Sequence, residues 1–273
     1  MSFSKIMALL PVLSPDFSLP YAVSTLVPDH FSVARATTWD RLLWLVRERP
    51  ATAVIIDGVA MTHAPPPEER VAQLRRRFPS LGCIFVSQRA TDRVTLLRLG
   101  RAAVSTLELV PVDDLAGETR RAVSRVTASG THARVVRAVG SRLPRAERGV
   151  LRAALDGALL GWRADELSAR AGWTRAHLSV RLRGRGLPSA GHLLLWARLL
   201  HAGRWLTDPG RSAESVSRQL GYANGGVFRR ALRNYVQATP TEVRERGGLE
   251  FVLGRFLDVC SLGDSVRLER SVA

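Results

Sequence analysis

Apolar residues recur at helical spacing on both sides of a glycine in the stretch Ser212 to Arg246. Val216 and Leu220 stand four apart, and Ser212 with Glu214 supplies a cap and an acid for the first turn. Gly221 then ends the pattern, as a residue free to take positive φ does. Asn224 caps a second helix, in which Val227, Phe228, Ala231, Leu232 and Tyr235 draw one buried stripe. Gly226, Arg229, Arg230, Arg233 and Asn234 fall opposite it. A helix with an apolar back and an arginine front, after a helix and a glycine turn, suits a major groove. A solvated basic face is the alternative for one such helix.

The same pattern occurs a second time. Ala164, Leu167 and Ala171 form the packed side of a first helix, Gly172 makes the turn and Thr174 caps the next helix. Leu178 and Leu182 point inward, while Ala176, Ser179, Val180 and Arg183 point outward, with Arg175 beside the cap. Arg181 lies nearer the buried edge. The two candidate reading helices start near Thr174 and Asn224, 50 residues apart. Between them Ser189 caps a helix with Leu195, Leu199, Ala202 and Leu206 on one face. Its eighteen residues, Ala190 to Thr207, span ~27 Å.

The first 127 residues carry a different rhythm, short apolar runs alternating with helical segments. Expected strands are Lys5–Val12, Phe31–Arg35, Ala53–Ile56, Cys83–Val86 and Ala102–Thr106. Expected helices are Trp39–Arg49, Glu68–Phe78, Thr91–Leu99 and Asp114–Val126. This alternation predicts a parallel α/β sheet of flavodoxin-like order, with its functional edge at the carboxyl ends of the strands. Ala128 to Thr131 reads as a linker, followed by an arginine-rich helix from His132. The tail after Gly247-Gly248 turns apolar again. It either docks on a neighbour or completes its own domain's core.

Charge sharpens the picture. The chain of 273 residues carries a net +16, and all its basic residues but Lys5 are arginines. Residues 142–246 hold 19 Arg against 8 acids, a net +11, so the excess coincides with the paired helices, as phosphate binding requires. Cys83 and Cys260 are lone thiols, which excludes a disulfide framework. The six histidines show no metal-ligand spacing, and no glycine-rich phosphate loop is present. No signal peptide and no transmembrane stretch is read, so a cytoplasmic protein with no membrane partner is expected.

From about 142 to 246 the chain resembles the DNA-binding domain of the AraC/XylS family of transcription regulators. The resemblance rests on Val216, Gly221-Tyr222, Asn224, Phe228, Arg230, Leu232, Arg233, Thr239-Pro240 and Arg244. It extends to Arg198-Leu199-Leu200-His201-Ala202 and Leu206 in the connecting helix. It implies two helix-turn-helix units joined by one long helix. Leu232 stands where an aromatic is usual, Gln237 where a glycine is usual, Val243 in place of an aromatic, and Val180 in place of an arginine. The DNA-contacting set it implies is Thr174, Arg175, Ala176, Ser179, Arg183, Asn224, Gly226, Arg229, Arg230, Arg233 and Asn234.

The N-terminal part resembles a response-regulator receiver domain at Asp57, Ser87 and Leu99-Gly100. A working receiver also needs an acidic pair after the first strand and a lysine after the fifth. Asp16 is the only acid near the first place, and no lysine stands near Leu107-Glu108-Leu109. Asp57 is therefore read as a strand-end cap in a degenerate receiver; an unrelated α/β domain is the alternative. The domains expected are a receiver-like α/β domain (1–127), a connecting segment (128–141), an all-α DNA-binding domain (142–246) and a tail (247–273).

The function expected is a sequence-specific transcription regulator. It is an activator by the resemblance, not an enzyme, and has no cofactor and no metal. Double-stranded DNA is its main partner, with RNA polymerase and a second copy through the N-terminal domain as further ones. A phosphoacceptor response regulator signalling through Asp57 is the competing function, and an adaptor binding protein through its basic helices is a third.

Overall fold

The computed structural model describes residues 8–26, 31–49, 51–57, 67–87, 97, 107–111, 121–122 and 130–271. They divide into two compact units. One holds 8–130 together with Asp208–Arg211, the other 131–207 and 212–271.

The first unit is a parallel sheet of β1 (Ala8–Leu13), β2 (Phe31–Ala36), β3 (Ala53–Asp57), β4 (Gly82–Ser87) and β5 (Leu107–Pro111). Its order is β2-β1-β3-β4-β5, the flavodoxin-like order expected. In β3 and in Cys83–Val86 of β4 successive residues alternate between two buried faces, which is why these runs are apolar. Val54, Ile56 and Phe85 pack with Leu42, Leu45, Leu74 and Phe78 of α2 (Trp39–Glu48) and the segment around α3 (Pro67–Arg77). Ile55, Ile84 and Val12 pack with Leu19 and Val23 of α1 (Ser18–Leu26). Pro11 lacks an N–H, and the β1–β3 pairing is interrupted there, between Leu9–Ala51 and Val12–Ile55. Burial pushes the Cys83 thiol up to about 12, leaving it inert at neutral pH.

Three sequence expectations change in this unit. The first strand ends one residue later than expected, at Leu13. Helix α1 was not foreseen, because Pro20 reads as a breaker and its exposed Phe17 and Tyr21 blur the stripe. Pro20 in fact lies in the first turn, where its missing N–H is harmless, and the Asp16 carboxylate accepts the Ser18 amide at 2.9 Å. The strand paired with β4 is Leu107–Pro111, in register Cys83↔Leu107 to Ser87↔Pro111. Ala102–Thr106 lies outside the described residues. Two adjoining apolar runs give periodicity no means of choosing between them. The helices expected at Thr91–Leu99 and Asp114–Val126 also lie outside, save for helical residues Leu97 and Arg121-Ala122.

The second unit is all helix: α4 (Thr131–Val139), α5 (Arg145–Leu159), α6 (Ala164–Ala171), α7 (Arg175–Arg183), α8 (Ala190–Leu206), α9 (Ala213–Gln219), α10 (Gly225–Ala231), α11 (Pro240–Glu245) and α12 (Leu249–Ser271). Helix α8 is its axis. Sequence spacing gave α8 one apolar stripe. Instead Leu193, Leu194, Trp196, Leu199, Leu200, His201, Trp205 and Leu206 are buried nearly all round it, as a helix at the centre of a core requires. Ser189 stands at its N-terminus without a side-chain capping bond.

His201 donates its Nε2 hydrogen to the Leu155 carbonyl at 3.0 Å. Burial above all, then the neighbouring His132, drives its pKa down to about 3, so the ring stays neutral. The tail completes this same core: Val252 and Phe256 of α12 are fully buried in it. The backbones of α8 and the start of α12 touch at Gly203, where a Cβ would lie 2.9 Å from Val252 Cγ2. Among the described residues no helix is long and apolar enough to cross a membrane.

Candidate nucleic-acid interface

In the first helix-turn-helix, Glu166 accepts the Arg163 amide at 2.7 Å and opens α6. Gly172 (φ 70°) turns the chain in the left-handed region. Thr174 Oγ1 then accepts the His177 amide at 3.2 Å and starts α7. Leu178 and Leu182 are fully buried, so the opposite side of α7 faces solvent. Thr174, Arg175, Ala176 and Arg183 are exposed there. Arg175 stands 3.8 Å from Asp165, a loose surface pair, and Arg183 Nε donates to the Ser179 carbonyl of its own helix.

Ser179 is half-buried rather than outward. Its hydroxyl accepts the Ala190 amide at 3.3 Å and so performs the capping expected of Ser189. Arg181 is turned away from the exposed face. Its guanidinium gives Glu147 two bonds, at 3.1 and 2.6 Å, and lies 4.5 Å from the Trp173 ring. Burial alone would raise the Glu147 carboxyl, but the Arg181 bonds and charge hold it below the ordinary carboxylate range. Sequence spacing placed Arg181 near the buried edge; its partner, 34 residues away, was not legible.

The second unit repeats the scheme. Ser212 Oγ accepts the Ser215 amide at 3.1 Å, Gly221 (φ 73°) makes the turn, and Asn224 Oδ1 accepts the Val227 amide at 3.0 Å. Phe228, Leu232 and Val236, four apart, are fully buried, and the Phe228 ring lies 5.2 Å from Tyr222. Val227, expected in that stripe, is instead 42% exposed: it sits one residue, about 100°, off the buried line. Asn224, Gly226, Arg229, Arg230, Arg233 and Asn234 are all exposed. Among the described residues Arg230 and Arg233 form no ion pair, so both cations remain uncommitted.

The two glycines at the head of α10 differ in role. Gly225 is buried, and a Cβ there would lie 2.0 Å from Glu214 Oε2, so a larger residue would force the Glu214 side chain to move. At Gly226 a Cβ would meet only Asn224 Oδ1, at 3.1 Å.

The end of this unit explains the Thr-Pro signature. Helix α10 widens into a π turn, Leu232–Val236, which closes on Gln237 at φ 57°. Thr239 and Glu242 then exchange bonds in a capping box with Pro240 in the first turn. Arg244 donates Nε to the Leu206 carbonyl at 2.6 Å, closing the C-terminus of α8. Arg198, from the middle of α8, donates Nη2 to the Trp162 carbonyl at 2.8 Å. These bonds fix both helix-turn-helix units to one axis.

Gln237 is the one non-glycine among the described residues with positive φ. That conformation costs a side-chain-bearing residue about 1–2 kcal/mol. Glycine's looser unfolded chain gives back about 0.5–1 kcal/mol of it. Gln237→Gly should therefore raise the urea midpoint by about 0.5–1 kcal/mol of stability, and Gln237→Val should lower it. A lower midpoint for the glycine variant would show that the Gln237 side chain makes a stabilising contact.

Residues 167–246 match the family model of a helix-turn-helix domain, HTH_18. No sequence among the curated proteins matches the chain. Among solved structures it is similar to cpaE from Burkholderia thailandensis E264, described as a pilus assembly protein. That match has 23% identity, 45% of this chain and 99% of that one, and a TM-score of 0.37. It is similar also to NtrX from Brucella abortus in complex with ATP, at 15% identity, 63% and 42% coverage and a TM-score of 0.37. A third is the xylose-binding transcription activator xylR, at 15% identity, 89% and 71% coverage and a TM-score of 0.36. Residues 167–246 are an AraC-type helix-turn-helix domain, a DNA-binding regulatory domain.

Proposed function

We propose that this chain is a sequence-specific transcription activator of the AraC/XylS kind, in which α7 and α10 enter two adjacent major grooves of one duplex. The observation that carries this is the face of α10: Arg229, Arg230, Arg233 and Asn234 stand exposed over a buried Phe228–Leu232–Val236 back. Thr174, Arg175, Ala176 and Arg183 supply the corresponding face of α7, with Ser179 acting through the start of α8. Asn224 and Gly226 allow the backbone at the head of α10 to approach the duplex closely. The DNA-binding domain takes in α4 and the first half of α12 as well as 142–246, since Val135, Val139, Val252 and Phe256 share its core. The α/β unit acts as a degenerate receiver that contacts RNA polymerase or a second copy. In it Ser14 donates its hydroxyl to Asp57 Oδ2 at 2.8 Å, which supports a strand-end role for that acid.

The test compares arginines by anisotropy on selected and random duplexes. Arg230→Ala and Arg233→Ala should each weaken binding by about 1–3 kcal/mol if they read guanine. If they hold phosphate, all sequences weaken alike. Arg181→Ala should instead lower the unfolding midpoint, because Glu147 loses its partner, while folded molecules keep their affinity. An Arg230→Ala variant with wild-type affinity and specificity would refute the assignment.

A further inference from the structure

A lone exposed valine is ordinary on a protein surface. Val180 is 60% exposed, and what distinguishes it is its place in α7. Leu178 and Leu182, two residues to either side of it, are fully buried. At about 100° per residue, Val180 therefore points directly away from the core. Ala176, four residues earlier, and Arg183, three later, are exposed along the same line. Arg181, the next residue, is drawn aside to Glu147 at 3.1 and 2.6 Å and toward the Trp173 ring. The crest of α7 thus presents methyl groups along its first two turns, with a cation at its end.

The two reading helices align from their caps. Thr174 and Asn224 each accept the amide three residues on. Leu178 and Phe228 stand four residues after the cap, and Leu182 and Leu232 eight, and all four are buried. In this register Ala176 corresponds to Gly226, Val180 to Arg230 and Arg183 to Arg233. The outermost place is therefore a valine in α7 and an arginine in α10.

These two side chains suit different partners. The major-groove edge of an A·T pair carries the thymine 5-methyl group, whereas G·C offers guanine N7 and O6 and the cytosine amino group. Valine can bury a methyl group but neither donates nor accepts a hydrogen bond. Against G·C it would strip water from polar atoms and return nothing. Burying one methyl group is worth about fourfold in affinity. Arg175 and Arg183, exposed at the two ends of α7, supply the positive charge that holds such a crest on a duplex.

We propose that Val180, with Ala176 beside it, reads the 5-methyl group of thymine. The two helix-turn-helix units then read different chemistry, methyl groups through α7 and hydrogen-bond acceptors through Arg230 of α10. This inference rests on the DNA-binding function proposed above.

The test uses the full chain and a duplex that the wild type selects from a random pool. Each thymine is replaced in turn by deoxyuridine, which removes the methyl group and keeps the base pair. At one or two thymines the wild type should lose about fourfold in affinity. Val180→Ala should lose about fourfold on the thymine duplex and nothing further on the deoxyuridine one, so that the two changes are not additive. Arg230→Ala, weaker overall, should keep the wild-type sensitivity at those thymines. A wild type indifferent to every replacement would overturn the proposal. So would a Val180→Ala variant with undiminished sensitivity, or a sensitivity lost in Arg230→Ala rather than in Val180→Ala. A wild type that prefers no duplex over random DNA would instead refute the DNA-binding function, and would do so before any deoxyuridine is introduced.

Discussion

A chain ending at Arg246 is expected to lose the cooperative unfolding transition of its helical unit. The helix-turn-helix match ends at that residue, yet the core does not. Leu249, Val252, Leu253 and Phe256 are buried against α8, and Phe256 lies 5.6 Å from Trp196, which in turn meets the Tyr235 ring edge-on at 6.1 Å. Four such side chains, at about 1.5–3 kcal/mol each, match the whole net stability of a typical domain. The single change Phe256→Ala should cost about 3–5 kcal/mol. Trp196 spans α12 and the π turn behind α10, so the loss should also lower DNA affinity. Urea unfolding followed by tryptophan fluorescence measures both variants. A truncated chain with the wild-type midpoint would show that α12 merely lies on a core already complete.

The second large effect is expected on the DNA. Helix α8 has 17 residues, ~26 Å of rigid rod, and both helix-turn-helix units are bonded to it through Arg198 and Arg244. Major grooves on one face of B-DNA recur every ~34–36 Å. One chain should therefore read two adjacent grooves, and its site should be asymmetric, because α7 and α10 differ. Inserting about 5 base pairs between the two boxes turns one groove to the opposite face. That should remove most of the specific component, about 4–10 kcal/mol in typical cases. Inserting about 10 restores the face but adds another ~34 Å, which a fixed helix cannot span. Both insertions should fail, measured by footprinting on the selected duplex. Recovery at 10 base pairs would mean that the units move independently, or that different subunits read the two boxes.

What the sequence made legible follows from range. Local patterns sufficed for both glycine turns, for the caps at Thr174, Ser212 and Asn224, and for the buried pairs Leu178–Leu182 and Phe228–Leu232, because each involves residues within one or two helical turns. The strand order followed from alternation and length. Long-range partners were invisible: Glu147 for Arg181, Glu214 over Gly225, and Ser80 for Asp208. Nothing local in the sequence announces that the charges of Asp208 and Arg211 are buried. Val227 and Ser179 were misplaced by a single helical step. The strand Leu107–Pro111 was missed because neighbouring apolar runs carry the same signal.

Salt dependence of duplex binding by the full chain tests the central claim most directly. If exposed arginines on α7 and α10 grip phosphates in two grooves, the logarithm of the affinity should fall linearly with the logarithm of salt. The slope should be roughly −0.9 per phosphate contacted, and shallower by about one contact in Arg233→Ala if that arginine holds a phosphate. Affinity unchanged between low and moderate salt would contradict the account.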